Sequence, residues 1–195
     1  RRVLFRSNTR YEMRFTGSGG QGIILASVIL AEAAVVAGEN AVQSQAYGPE
    51  ARGGICKAEA IIGKEKIWFG KVTKPDFLLA MTQASIDKFS QDIKENAFVI
   101  ADASLRIPAS LKPDQVLQLP ILDTAEKKVG KSMTANIVAV GAINAALGLF
   151  DKQSLQEAVK RHIPSGTEKL NWRALEEGMK LITPKQAEKF HHTMS

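Results

Sequence analysis

The sequence predicts an α/β fold: a single domain on a mostly parallel, Rossmann-like sheet, with helices on both faces and a β-hairpin addition. Three observations carry that expectation. A strand-like segment over 11–16 runs into Gly17-Ser18-Gly19-Gly20-Gln21-Gly22 and then into a stretch rich in Ala, Ile and Val. Short apolar runs then alternate with longer helical patterns, the layout of strands buried on both faces. The 195 residues, 45% apolar and 24% charged, suffice for one core, and no linker or repeat divides them.

Residues 23–37 read as the first helix, stopped at Gly38. Residues 41–46 are the second expected strand, and 47–54 form a loop marked by glycine and proline. Residues 55–62 and 66–69 read as two strands turned by Gly63-Lys64-Glu65, the expected hairpin. Residues 77–81 are a short buried strand ahead of a polar helix over 85–95. Residues 97–101 form another strand closed by Asp102, and 115–119 one more, in a stretch punctuated by Pro108, Pro113 and Pro120. The last third is helical over 131–149, 152–162 and 168–182, with Pro164-Ser165-Gly166 between the last two and Pro184 stopping the third. The expected organisation is an extension over 1–12, the domain over 13–183 and a polar tail over 184–195.

Twenty-six Lys and Arg against 20 Asp and Glu leave a net charge of +6. Nucleic-acid binding would need that charge to be clustered. It clusters in Arg1, Arg2, Arg6 and Arg10, and without residues 1–7 the excess falls to +3. The string Arg1-Arg2-Val3-Leu4-Phe5-Arg6-Ser7 is what the end of a sequencing adapter encodes when read in frame. It is therefore expected to be non-native, with the native start near Met13. Val3-Leu4-Phe5 falls short of the roughly 7–15 apolar residues of a secretory signal. Beyond residue 12 the charge is dispersed, so no nucleic-acid partner is expected.

The uncharged run over 132–150 approaches the length of a membrane span. Ser132, Thr134, Asn136 and Asn144, with Ala and Gly outnumbering Leu, instead mark a buried globular helix. No membrane partner is expected. One cysteine permits no internal disulfide, cysteine cluster or structural zinc site, so the compartment reads as reducing and cytoplasmic.

A strand, a G-x-G-x-x-G loop and a helix suit an anion. Glycines let backbone N–H groups approach a ligand, and the helix start adds unpaired donors and a positive dipole end. NAD or FAD would further require an acid at the end of the second strand, where Gln43-Ser44-Gln45-Ala46 stands. No Lys-Ser/Thr follows the glycines, which excludes a P-loop. Tyr47-Gly48-Pro49-Glu50-Ala51-Arg52-Gly53-Gly54 forms a second loop, expected at the strands' carboxyl end beside the first. With Lys57 nearby, Arg52 is suited to phosphates or carboxylates; equally, both loops are suited to a subunit interface.

No catalytic or metal-binding set is visible. His162 fits a helix end, His191 and His192 the tail, and Cys56 a buried inert thiol. Turn chemistry accounts for Asp76 and Asp102.

Taken in order, these motifs resemble the gamma subunit of 2-oxoacid:ferredoxin oxidoreductases. The resemblance rests on the two glycine loops, Lys74-Pro75-Asp76 before an apolar strand, and Gly130 and Asn136 ahead of Val140-Gly141-Ala142. Asn171-Trp172-Arg173-Ala174-Leu175-Glu176-Glu177-Gly178 completes it, over 13–182. The resemblance implies a non-catalytic subunit of a complex that oxidatively decarboxylates a 2-oxoacid to an acyl-coenzyme A and reduces ferredoxin. Thiamine diphosphate and [4Fe-4S] clusters are then expected on alpha and beta partners, with a ferredoxin-like delta subunit as a further partner. Coenzyme A enters as a substrate of the complex. Gly17, Ser18, Gly19, Gly20, Gln21, Gly22, Tyr47, Glu50, Arg52, Gly53 and Gly54 become phosphate-contacting or interface candidates.

The segment from Ala51 to Glu59 resembles the 2-oxoglutarate branch more than the pyruvate branch. Residues 63–70 depart from the commoner family wording, so Trp68-Phe69 is expected to mark a different contact surface. The alternative is a stand-alone Rossmann-type oxidoreductase binding NAD or FAD.

Overall fold

The computed structural model describes residues 10–45 and 54–193. Strands β1 (Arg10–Ser18), β2 (Asn40–Gln45), β3 (Ile55–Gly63), β4 (Phe77–Ala80), β5 (Phe98–Asp102) and β6 (Val116–Leu119) form one sheet in the order β2-β3-β1-β4-β5-β6. β1, β4, β5 and β6 run parallel, and β3 alone is antiparallel to its neighbours β1 and β2.

The central strands are buried on both faces, which is why they read as unbroken apolar runs. On one face, Met13, Phe15, Phe77, Leu79 and Ile100 join the large core under helix α1 (Ile23–Val36) and the C-terminal helices. On the other, Leu78, Ala80, Val99 and Ala101 meet Ile86 and Phe89 of α2 (Gln83–Phe89) in a smaller core. Helix α2 starts at a reciprocal cap between Thr82 and Ser85 and stops at Phe89, short of the expected residue 95.

The hairpin differs from expectation. Residues 66–69 form no strand; β3 instead pairs antiparallel with β2 and with β1. Ala58, Ala60 and Ile62 of β3 point into the large core, so this strand holds the slot between β2 and β1.

Both expected ends also differ. β1 begins at Arg10, opposite Gly63, and Tyr11 is buried, so Arg10–Glu12 belongs to the sheet. α6 ends before Pro184, and the tail then forms α7 (Pro184–Thr193), opened by Pro184, a residue tolerated in a first helical turn. Phe190 from α7 is buried and stacks on Phe98 at 3.9 Å between ring centroids. A single buried aromatic in a mostly polar stretch thus anchors the helix.

A short helix α3 (Ile121–Asp123) continues through a π-helical turn, Thr124–Val129, to Gly130. A 3-10 turn then leads into α4 (Ala135–Leu147), which is buried along nearly its whole length. No helix of the described residues is long and apolar enough to cross a membrane.

Helices α5 (Lys152–His162) and α6 (Glu168–Lys180) follow. Asp151 caps α5, its carboxylate accepting the Ser154 N–H at 2.8 Å, and that bond holds the carboxyl below its usual range. A folded-state value below the unfolded one makes this contribution present above the unfolded pKa and lost as pH falls through the folded one. Asp151→Ala is expected to cost about 1 kcal/mol at neutral pH. Urea unfolding of the two proteins should show that difference vanish on acidification below the usual carboxylate value of about 3.9.

Candidate functional site at the glycine loop

β1 ends at Ser18, and the chain turns through Gly19 and Gly20 before Gly22 opens α1. Gly20 and Gly22 have φ of 89° and 71°, a region that L side chains rarely adopt. Gln21 folds back over the loop. Its Oε1 accepts the Ser18 N–H at 2.8 Å, and its Nε2 reaches the Met81 carbonyl at 3.5 Å. Gln21 therefore braces the loop against the end of β4 and is not directed outward. Gly17 makes room for the brace, since a Cβ there would lie 2.5 Å from Gln21 Oε1. Gly22 makes room for Asn136, whose Nδ2 would lie 2.6 Å from a Cβ. The first turn of α4 thus seats on the start of α1.

What remains outward is backbone. Among the described residues, nothing lies within 4 Å of a Cβ built on Gly19 or Gly20. No side chain caps α1 and no acid occupies its first turn. The loop presents an uncapped helix start behind two open glycines, an arrangement that favours a negative ligand group.

The second loop's Tyr47, Glu50, Arg52 and Gly53 lie outside the described residues. Gly54 is described, with φ of 82° and no described residue within 4 Å of a Cβ built on it. Ile55 pairs with Ser18, so Gly54 leads into β3 at the same end of the sheet as the first loop. β2 does not flank β1 as a dinucleotide site requires. The flanking strand is β3, which sets Cys56 and Ile55, not an acid, opposite Gly17 and Ser18. Gln43 instead bonds Ser27 of α1 at 3.1 Å. The nucleotide-binding alternative is disfavoured on both counts.

The remaining candidates are structural. Asp102 accepts from the Ser104 N–H and hydroxyl at 3.0 and 2.6 Å and from the Leu122 N–H at 2.9 Å, tying β5 to α3. Asp76 sits at the opposite end of the sheet, accepting from the Glu12 N–H and from Lys94. Burial pushes the Cys56 thiol up, away from thiolate chemistry. His162 ends α5, its Nε2 3.9 Å from Glu32. The reach of Gln21 to Met81, and the seating of Asn136 beside Gly22, had no local signal, because each is a contact between segments far apart in the chain.

The family model described as pyruvate ferredoxin/flavodoxin oxidoreductase matches residues 12–181. The 2-oxoglutarate synthase subunit KorC of Methanocaldococcus jannaschii is 40% identical over 177 residues, covering 89% of this chain and 94% of that one. A keto/oxoacid ferredoxin oxidoreductase gamma subunit from Geobacter sulfurreducens superposes with a TM-score of 0.78 at 43% identity, over 87% and 96% of the two chains. The fold recurs, at 20% identity and a TM-score of 0.80, in a Magnetococcus marinus 2-oxoglutarate:ferredoxin oxidoreductase solved with 2-oxoglutarate, coenzyme A and succinyl-CoA. There it covers 91% of this chain but 32% of the longer one.

Proposed function

The chain belongs to the pyruvate ferredoxin/flavodoxin oxidoreductase family as the gamma subunit of a 2-oxoacid:ferredoxin oxidoreductase, and from that premise we propose that its complex acts on 2-oxoglutarate. The reaction joins the decarboxylated acyl group to coenzyme A, releases carbon dioxide and passes two electrons to ferredoxin. The near full-length match to a 2-oxoglutarate synthase subunit carries the substrate assignment. In this reading thiamine diphosphate and the [4Fe-4S] clusters belong to alpha, beta and ferredoxin-like delta chains, and the complex works in the cytoplasm. The glycine loop, with its uncapped helix start, contacts a phosphate of coenzyme A.

Co-expression with the partner chains tests the first part. The purified complex should reduce ferredoxin with a higher kcat/KM for 2-oxoglutarate than for pyruvate or a branched 2-oxoacid. Partners that are equally active and stable without this chain would overturn the reading.

Gly19→Asp tests the loop, because Gly19 has an ordinary φ and open surroundings. A carboxylate there should raise the KM for coenzyme A about tenfold or more by like-charge repulsion, leaving Tm and complex recovery unchanged. Loss of the complex instead would make the loop an interface element.

A further inference from the structure

We propose that the outer edge of β2, with Trp68 and Phe69 beside it, is a docking surface for a partner subunit that meets it with an apolar pocket rimmed by carboxylates. The proposal rests on the reading of this chain as one subunit of a complex.

β2 ends the sheet, and no described strand pairs with its outer side. Proteins normally blunt such an edge with lysine, proline, a bulge or extreme shortness. β2 has none of these. Its six residues, Asn-Ala-Val-Gln-Ser-Gln, carry no charge and no proline, and its ladder with β3 is unbroken from Asn40↔Gly63 to Gln45↔Ala58. The opposite edge, β6, is only four residues long.

A strap over residues 64–71 leaves the start of β2 and runs across the sheet face to β1, tied down along its length. Asn40 Nδ2 donates to the Lys64 carbonyl at 3.0 Å. Gly70 lies so close to β2 that a Cβ on it would be 2.9 Å from Val42 Cγ1. Arg10 Nη2 donates to the Lys71 carbonyl at 3.4 Å. Between these ties the strap presents Trp68 and Phe69 outward, 83% and 63% exposed. Lys66 Nζ sits 4.2 Å from the Trp68 ring centroid, which holds the indole by a cation–π contact and leaves its other face free. Adjacent exposed aromatics on a fixed strap are the composition of an interface centre.

Size and charge define the occupant. Burying both rings covers about 150–250 Å² each, roughly half of the 800 Å² that one side of a stable interface needs. The β2 edge supplies further contact area. Lys66, Lys71 and Lys74 are exposed on the strap or just after it, and within residues 64–71 Glu65 is the one acid. A second copy related by a two-fold axis would bring these lysines against their own mates, which is repulsive. An acidic rim on a different chain complements them.

The test uses the co-expressed complex with a photo-crosslinking amino acid in place of Phe69. The expected product joins this chain to one partner subunit, at a peptide containing Asp or Glu. Trp68→Ser with Phe69→Ser should lower recovery of this chain in the complex about tenfold or more while its own Tm stays unchanged. Lys66→Glu with Lys71→Glu should weaken assembly in the same direction, most at low salt. A crosslink between two copies of this chain would overturn the proposal, as would full assembly of the Trp68→Ser, Phe69→Ser protein. Both leave the gamma-subunit reading standing. Failure of the unaltered chain to assemble at all would overturn that reading and the proposal with it.

Discussion

Arg14→Ala should cost about 3–5 kcal/mol of folding stability, the penalty for stranding one member of a buried ion pair. Arg14 lies on β1 directly opposite Glu59 on β3, and the two are 4% and 8% exposed. Arg14 Nε donates to Glu59 Oε1 at 2.8 Å. The rest of the guanidinium is used as well, with Nη1 donating to the Asp92 carbonyl at 3.0 Å and Nη2 to the Thr73 carbonyl at 3.3 Å. Its plane approaches the Phe89 ring at 5.5 Å. One side chain therefore holds β1, β3 and two loops on the face with the smaller core.

Among the described residues, truncation would leave the Glu59 carboxylate with Lys57 alone, at 3.6 Å, and would leave backbone carbonyls without their donor. Urea unfolding should show a lower midpoint for Arg14→Ala and, more mildly, for Glu59→Gln. Replacing both by apolar residues, Arg14→Met with Glu59→Leu, should recover much of the loss, since a buried pair is often no better than well-packed hydrophobes. If Arg14→Ala falls within about 1 kcal/mol of wild type, well short of the expected penalty, the clamp is not holding the sheet.

Gly178→Ala is expected to be nearly as damaging, by crowding. A Cβ on Gly178 would overlap the Val138 carbonyl oxygen and lie 2.8 Å from its carbon. The contact is reciprocal, because a Cβ on Gly141 would overlap the Leu175 carbonyl oxygen and lie 3.0 Å from its carbon. Neither glycine has a positive φ, so the demand is for space alone. α4 and α6 meet backbone to backbone, and no rotamer change relieves a clash with a carbonyl. The helices must separate, opening gaps along a buried interface. The cost should be about 3 kcal/mol, the upper end for overpacking. That corresponds to a fall in Tm of about 6–12 °C for a chain of this size. Gly19→Ala, with open space and ordinary φ, is the control and should be close to neutral.

Much of the fold was legible along the chain. Helix α5 runs over the expected 152–162 because its determinants are local, from the Asp151 cap to basic residues in the last turn. The glycine loop was legible because Gly20 and Gly22 are required by their own backbone angles. Residues 66–69 misled because apolar, β-prone side chains serve an exposed strap as well as a strand. α7 was missed because its one apolar anchor, Phe190, gains its meaning only from Phe98, more than ninety residues earlier.

The sequence by itself determined the local elements and the strand–glycine loop–helix unit, which depend on periodicity and capping within short windows, while the resemblance to the family rests on the order of motifs over 13–182. The tertiary structure decided that β3 separates β2 from β1, that Gln21 is tied to Met81 at the end of β4, and that Gly141 and Gly178 bring α4 and α6 into backbone contact. The physical reason is common to all three. Strand pairing, side-chain bracing and helix approach are chosen among distant partners of similar chemistry, and the choice is made by how surfaces fit when the chain is closed.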